Sequence, residues 1–131
     1  MSTPGRVALI LVVDDEAPLR DFLRLLLEEL GHRVLEATNG KHALEVARAE
    51  LPDLVISDIM MPIMGGVELS HRLKGEIHKP PHGASVPVIL MSAAGPAAAE
   101  GAPADAFVAK PFDLDRIENL VAFWLSGTVP A

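Results

Sequence analysis

The sequence predicts an α/β domain, a doubly wound parallel sheet of five strands with helices on both faces. Short apolar runs rich in Val, Ile and Leu recur five times, segments with helical spacing alternate with them, and Gly, Pro and Asn punctuate the joins. Continuous β-branched runs mark strands buried on both faces. Their alternation with helices implies parallel neighbours joined by right-handed crossovers.

Residues 1–6 form a flexible lead into the first strand, Val7 to Val13. Pro18 sits in a first helical turn, where its missing N–H is tolerated. Leu19 to Leu30 continue that helix and Gly31 supplies a left-handed cap. At about 100° per residue, Leu19, Leu23, Leu26, Leu27 and Leu30 share one face, and Leu25 points elsewhere. Val34 to Ala37 is the second strand, closed by Thr38-Asn39-Gly40. Lys41 to Glu50 is a helix with Ala43, Leu44 and Ala47 on one face, stopped by Pro52-Asp53.

Leu54 to Ser57 is the third strand, ending at Asp58, and Gly65-Gly66 precede a helix from Val67 to about Lys74. Gly75 to Ser85, with Pro80-Pro81 and His82-Gly83, reads as a loop. His71, His78 and His82 in and near it read as surface residues, because a Pro/Gly loop offers poor metal-ligand spacing. Pro87 to Met91 is the fourth strand. Gly95 to Ala104 holds Pro96, Gly101 and Pro103, so any helix there should be brief. Ala106 to Ala109 is the fifth strand. Asp113 caps a last helix, Leu114 to Leu125, which Gly127 ends. Its stripe of Leu114, Ile117, Val121 and Leu125 should be buried, flanked by Trp124, with Phe123 outside it. The domain thus spans 7–126, with a tail over 127–131.

Composition narrows the function. Half of the 131 residues are hydrophobic and 22% are charged, as in a soluble globular domain. The longest apolar run, Val7 to Val13, is too short to span a bilayer and leads into Asp14-Asp15-Glu16 without a cleavage site, so neither a membrane segment nor a secretory signal is expected. The absence of cysteine removes disulfides, zinc-thiolate sites and thiol nucleophiles, and is compatible with a reducing cytoplasm. A net charge of −7 with 11 scattered basic residues argues against direct nucleic-acid binding.

The chemistry-bearing residues fall at strand ends. Asp14-Asp15 follow the first strand, Asp58 the third, Ser92 the fourth and Lys110 the fifth. Ligands of open parallel sheets bind beyond these carboxyl ends, near the reversal of strand order. Crowded carboxylates repel unless a cation joins them, and magnesium suits a few carboxylates plus phosphate oxygens. Such a pocket could accept a phosphoryl group on a carboxylate nucleophile, with a lysine and a serine hydroxyl contacting its oxygens. Taken singly, each residue would be a turn, cap or surface residue; the joint placement carries the reading.

With these residues in view, the sequence resembles the receiver domains of bacterial two-component systems. The matching stretches are Val12-Val13-Asp14-Asp15-Glu16, Asp58-Ile59-Met60-Met61-Pro62 with Gly66, Met91-Ser92-Ala93 and Lys110-Pro111-Phe112, covering Val7 to about Leu125. The resemblance implies a flavodoxin-like strand order of 2-1-3-4-5. It implies Asp58 as phosphoacceptor, served by a sensor histidine kinase or histidine phosphotransfer domain. Mg2+ would be ligated by Asp15 directly, by Asp14 mainly through water, by Asp58 and by the Met60 backbone carbonyl. Lys110 would pair with the phosphoryl group, next to a cis bond to Pro111, while Ser92 and Phe107 would switch together. Their shift would bias a surface for an effector, built from the fourth helix, fifth strand and fifth helix.

Between Ser92 and Lys110 the chain is about one helical turn shorter than the family pattern, so the fourth helix is expected to be stunted. Leu25 is a candidate contact for the phosphodonor, and Phe123 for a second copy or an effector. The resemblance describes a signalling phosphoacceptor rather than an enzyme. Two other readings stand beside it: a receiver-like binding module that works without phosphate, and a dehalogenase-type phosphatase. The last expects a second aspartate two residues after the nucleophile, where Met60 stands.

Overall fold

A computed structural model of the chain describes residues 7–79 and 84–126. The elements are β1 (Leu9–Val13), α1 (Ala17–Glu29), β2 (Arg33–Ala37), α2 (Gly40–Glu50), β3 (Leu54–Asp58), α3 (Gly66–Glu76), β4 (His78–Lys79), β5 (Ala84–Ser85), β6 (Val88–Ser92), a 3-10 turn (Pro96–Ala99), β7 (Ala106–Ala109) and α4 (Leu114–Ser126). The main sheet is parallel throughout, in the order β2-β1-β3-β6-β7, which is the expected order of five strands. Its order reverses at β1 and β3, which opens a crevice at their carboxyl ends.

Strand residues alternate between two cores, as a period of two requires. Ile10, Val12, Leu54, Ile56, Ile89 and Met91 face Leu23, Leu27, Ile117 and Val121 of α1 and α4. Leu11, Val13, Val55, Val88 and Leu90 face Ala43, Leu44, Ala47, Leu69 and Leu73 of α2 and α3. Two-sided burial is why these strands read as unbroken apolar runs. α1 carries Pro18 in its first turn and ends before Gly31, whose φ of 98° is the left-handed cap anticipated. Asn39 caps α2 by accepting from the His42 amide at 2.9 Å, and Asp113 caps α4 by accepting from the Arg116 amide at 2.8 Å.

Several expectations need correcting. The stretch read as a loop from Gly75 contains the last turn of α3 and a two-stranded antiparallel hairpin, β4 with β5. Buried Ile77 and Val86 anchor its base. Leu30 is 41% exposed, because it caps α1 beyond the last helical turn and no longer follows the helix stripe. Leu114 is 45% exposed, since it opens α4 one turn ahead of buried Ile117. Leu25 is exposed, Trp124 and Leu125 pack against the core, and Phe123 stands outside it, edge-on to Trp124 at 5.0 Å between ring centroids. His71 and His78 lie on the surface. The lead over 1–6, Pro80-Pro81, His82-Gly83, and Gly127 with the tail lie outside the described residues.

Between β6 and β7 the described chain has only the four-residue 3-10 turn in place of a helix. Ala98, Ala99, Ala102, Ala104 and Phe107 cover the core there. Proline and glycine prevent a longer helix, as the composition anticipated.

Candidate functional site

Each strand delivers its polar residue to one rim. β1 ends at Val13, paired with Ser57, so Asp14 and Asp58 emerge beside each other. Asp58 in turn pairs with Met91, and the Ile59 amide donates to the Met91 carbonyl at 3.0 Å. Ser92 pairs with Ala109, and the Lys110 amide donates to the Ser92 carbonyl at 2.9 Å. The Lys110–Pro111 peptide is cis.

The side chains converge. Asp14, Asp15 and Asp58 each offer a carboxylate oxygen, all within 4.8 Å of one another. Asp14 is fully buried, Asp58 is 6% exposed, and Asp15 stands at the open side. Lys110 Nζ lies 3.2 Å from Asp14 Oδ2 and 3.3 Å from Asp58 Oδ1, with Glu16 Oε1 at 4.0 Å. One Asp58 oxygen also accepts from the Ile59 amide at 2.9 Å. Ser92 is buried, and its Oγ accepts from the Ala94 amide at 2.9 Å. Together with exposed Met60, Asp15, Asp58, Ser92 and Lys110 line a cleft of about 460 Å³. Phe107 packs away from it, half-buried against the α2–α3 core.

The electrostatics follow from this crowding. Burial pushes the Asp58 carboxyl above its ordinary value, Lys110 opposes that shift, and the neighbouring Asp14 reinforces it. Burial alone would lower the Lys110 ammonium, yet Asp14 and Asp58 outweigh it and hold the group above its ordinary value. One lysine therefore offsets three carboxylates only in part. Hard oxygen donors in this number, open to solvent on one side, fit a divalent cation that keeps some of its water.

Three contributors were not foreseen. Glu16 borders the cleft, the Ile59 amide polarises Asp58, and Arg20 Nη1 donates to the Asp14 carbonyl at 2.7 Å. Arg20 follows Leu19 at the margin of the buried face of α1, which is the sequence signal that could have marked it. Beside the cleft lies an apolar groove of about 600 Å³ that includes Pro18, Leu19, Phe22, Pro111 and Phe112. The rings of Phe22 and Phe112 are 6.4 Å apart across it.

A parallel sheet in this order, with acids and a lysine gathered at its carboxyl rim, defines the class of flavodoxin-like α/β domains with an acidic crevice. Residues 10–122 match the response regulator receiver domain family, and the chain belongs to that family. It is 40% identical over 120 residues to "Histidine kinase P4" of Formosa agariphila, covering 86% of this chain and 8% of that protein. It is 38% identical over 113 residues to a probable transcriptional regulator, ycf27, of Pyropia yezoensis, covering 83% of this chain and 44% of the relative. The chain thus spans less than half the length of these two relatives. Among solved structures, the signal receiver domain of a signal transduction histidine kinase from Syntrophus aciditrophicus superposes with a TM-score of 0.82. Identity there is 32%, with 93% of this chain and 92% of that one covered. The chain is a response regulator receiver domain of the two-component type. Among the described residues, no helix is long and apolar enough to cross a membrane.

Proposed function

We propose that the domain accepts a phosphoryl group on Asp58 from a phosphohistidine and signals through a surface that responds to it. The observation that carries this reading is the convergence of three carboxylates within 4.8 Å, with Lys110 bridging Asp14 and Asp58. Asp14, Asp15, Asp58 and the Met60 backbone carbonyl would hold Mg2+, which when bound neutralises the acids and draws phosphoryl oxygens toward them. Asp58 attacks phosphorus with the carboxylate oxygen not held by the Ile59 amide, and the histidine nitrogen leaves. Lys110 exchanges a carboxylate contact for a phosphoryl oxygen, and the Ser92 hydroxyl turns from the Ala94 amide to donate to another. Phe107 moves inward as Ser92 shifts.

The domain assists its own phosphorylation and dephosphorylation, and otherwise acts as a signalling phosphoacceptor rather than an enzyme, in the cytoplasm. Its donor is a sensor kinase or histidine phosphotransfer domain docking over α1, where Leu25 is 60% exposed. The test is incubation with acetyl phosphate and Mg2+ followed by intact mass. One added phosphoryl group is expected, lost in Asp58→Asn and on chelation. No gain in the wild type, or an undiminished gain in Asp58→Asn, defeats the proposal.

A second reading, a phosphate-independent binding module, draws on the 3-10 turn that replaces a helix between β6 and β7. Partner capture that ignores phosphorylation would favour it.

A further inference from the structure

The geometry points to Arg20 as a positioning residue that aims the Asp14 carboxylate at the divalent-cation site, an inference that rests on the metal reading above. Asp14 is gripped at four atoms. Its amide donates to the Ala37 carbonyl at 3.1 Å, Oδ1 accepts from the Glu16 amide at 2.8 Å, and Oδ2 accepts from Lys110 at 3.2 Å. Arg20 Nη1 supplies the fourth grip, on the carbonyl oxygen, at 2.7 Å. Of the side chains that hold Asp14, Lys110 also contacts Asp58, while Arg20 acts from α1 behind the site.

Arg20 is itself held in place. Its side chain is 16% exposed, and its Nε donates to Glu36 Oε1 on β2 at 3.3 Å. The other Glu36 oxygen lies 3.2 Å from Arg24 Nε. A planar guanidinium can serve a carbonyl and a carboxylate at once, which a lysine ammonium on a flexible stem does less well. The Asp14 peptide is thereby tied to both α1 and β2. Without that tie, rotation of the peptide would swing the carboxylate away from Asp15 and Asp58. Magnesium tolerates such misplacement poorly, because its octahedral shell is strict.

The sign of the effect separates positioning from simple charge. Removing a cation this near three carboxylates should, by Coulomb's law alone, tighten the binding of a divalent cation. A positioning role predicts the reverse. The experiment is calorimetric titration of the full chain with magnesium chloride, with circular dichroism and melting temperatures recorded alongside. Arg20→Gln should weaken Mg2+ binding about tenfold, as loss of a group that orients a metal ligand commonly does. Arg20→Lys should fall between wild type and Arg20→Gln. Arg33→Gln removes a positive charge from an exposed side chain on β2 outside this network, and should stay within about twofold of wild type.

Unchanged or tighter binding by Arg20→Gln overturns the assignment, as does an equal loss in Arg33→Gln. Should Arg20→Gln melt below the assay temperature, Arg20→Lys is read instead. A weakening of about threefold then supports the role and wild-type affinity refutes it. A wild type that binds no Mg2+ removes the metal reading and this inference together. A wild type that binds beside an unaffected Arg20→Gln removes the inference alone.

Discussion

Gly66 and Gly75 lie in the same helix, α3, one at its first turn and one near its end. The same substitution, glycine to alanine, should move stability in opposite directions at the two. A Cβ on Gly66 would stand 2.3 Å from the Asp58 carbonyl oxygen, 2.9 Å from Ile59 Cα and 3.1 Å from the Asp58 carbonyl carbon. All three are backbone atoms where β3 leads into the site, so no side chain can rotate out of the way. Ordinary contact begins near 3.4 Å, which puts the closest approach more than 1 Å too near. Relief requires α3 to back away from β3 and stretches the bond from the Gly66 amide to the Ile59 carbonyl, now 2.9 Å. Overpacking against backbone with a strained hydrogen bond should cost about 2–4 kcal/mol. A Cβ on Gly75 meets nothing within 4 Å. There alanine should stabilise by about 0.5–1 kcal/mol, through helix propensity and a less flexible unfolded chain. Urea denaturation followed by far-ultraviolet circular dichroism reads both changes against a common slope. A Gly66→Ala protein within about 1 kcal/mol of wild type would show that α3 does not press on Asp58 as described. Destabilisation by Gly75→Ala would undo the helix-interior account.

Three further outcomes follow from other parts of the fold. Asp105 Oδ2 accepts from Lys74 Nζ and, at 2.7 Å, from the Val88 amide, while Lys74 also donates to the Val86 carbonyl at 2.8 Å. Asp105→Ala should cost about 2–3 kcal/mol, and a double-mutant cycle with Lys74→Met should show coupling; independent effects would contradict this junction of α3, β6 and β7. Ile63 holds φ at 73° while 77% exposed, so Ile63→Asn should stabilise by about 0.5–1 kcal/mol in thermal melts, and a loss would mean the side chain makes a needed contact. Hydrogen bonds from Arg72 and Arg48 hold the Glu76 carboxyl below its ordinary value, so its stabilising effect is present above the ordinary carboxylate range and disappears as pH falls through the lowered value. Wild type should therefore exceed Glu76→Gln near neutral pH and converge with it in acid; a gap that persists in acid would contradict the ion pairs.

The central strands and their polar ends were legible because β1, β3 and β6 are buried on both faces and lead into a charged or hydroxyl residue. Asp58 closes a fully buried run, and Lys110 follows one whose Pro111 and Phe112 are distinctive. The β4–β5 hairpin was not legible. Strands of two residues carry no periodicity, and Pro80-Pro81 with Gly83 dominate the local signal. Gly75 read as a helix stop, yet buried Leu73 and Ile77 carry α3 through it to Glu76. Tertiary packing overrode propensity there. Leu30 and Leu114 fit the helical spacing but lie at helix ends, where spacing no longer reports burial. Arg20 was marked only by its place at the margin of the α1 stripe, because its partners, the Asp14 carbonyl and Glu36 on β2, leave no spacing pattern of their own.

Acyl phosphates are reduced by borohydride to the corresponding alcohol, so the phosphorylated residue itself can be read. After treatment with acetyl phosphate and Mg2+, borohydride reduction and peptide mass mapping should reveal homoserine at position 58 and at none of the other acids. Omission of Mg2+ should abolish it. Reduction at Asp14 or Asp15, or conversion of Asp58 that proceeds equally well without a divalent cation, would contradict a site in which gathered carboxylates and a metal ion direct phosphorus to one oxygen.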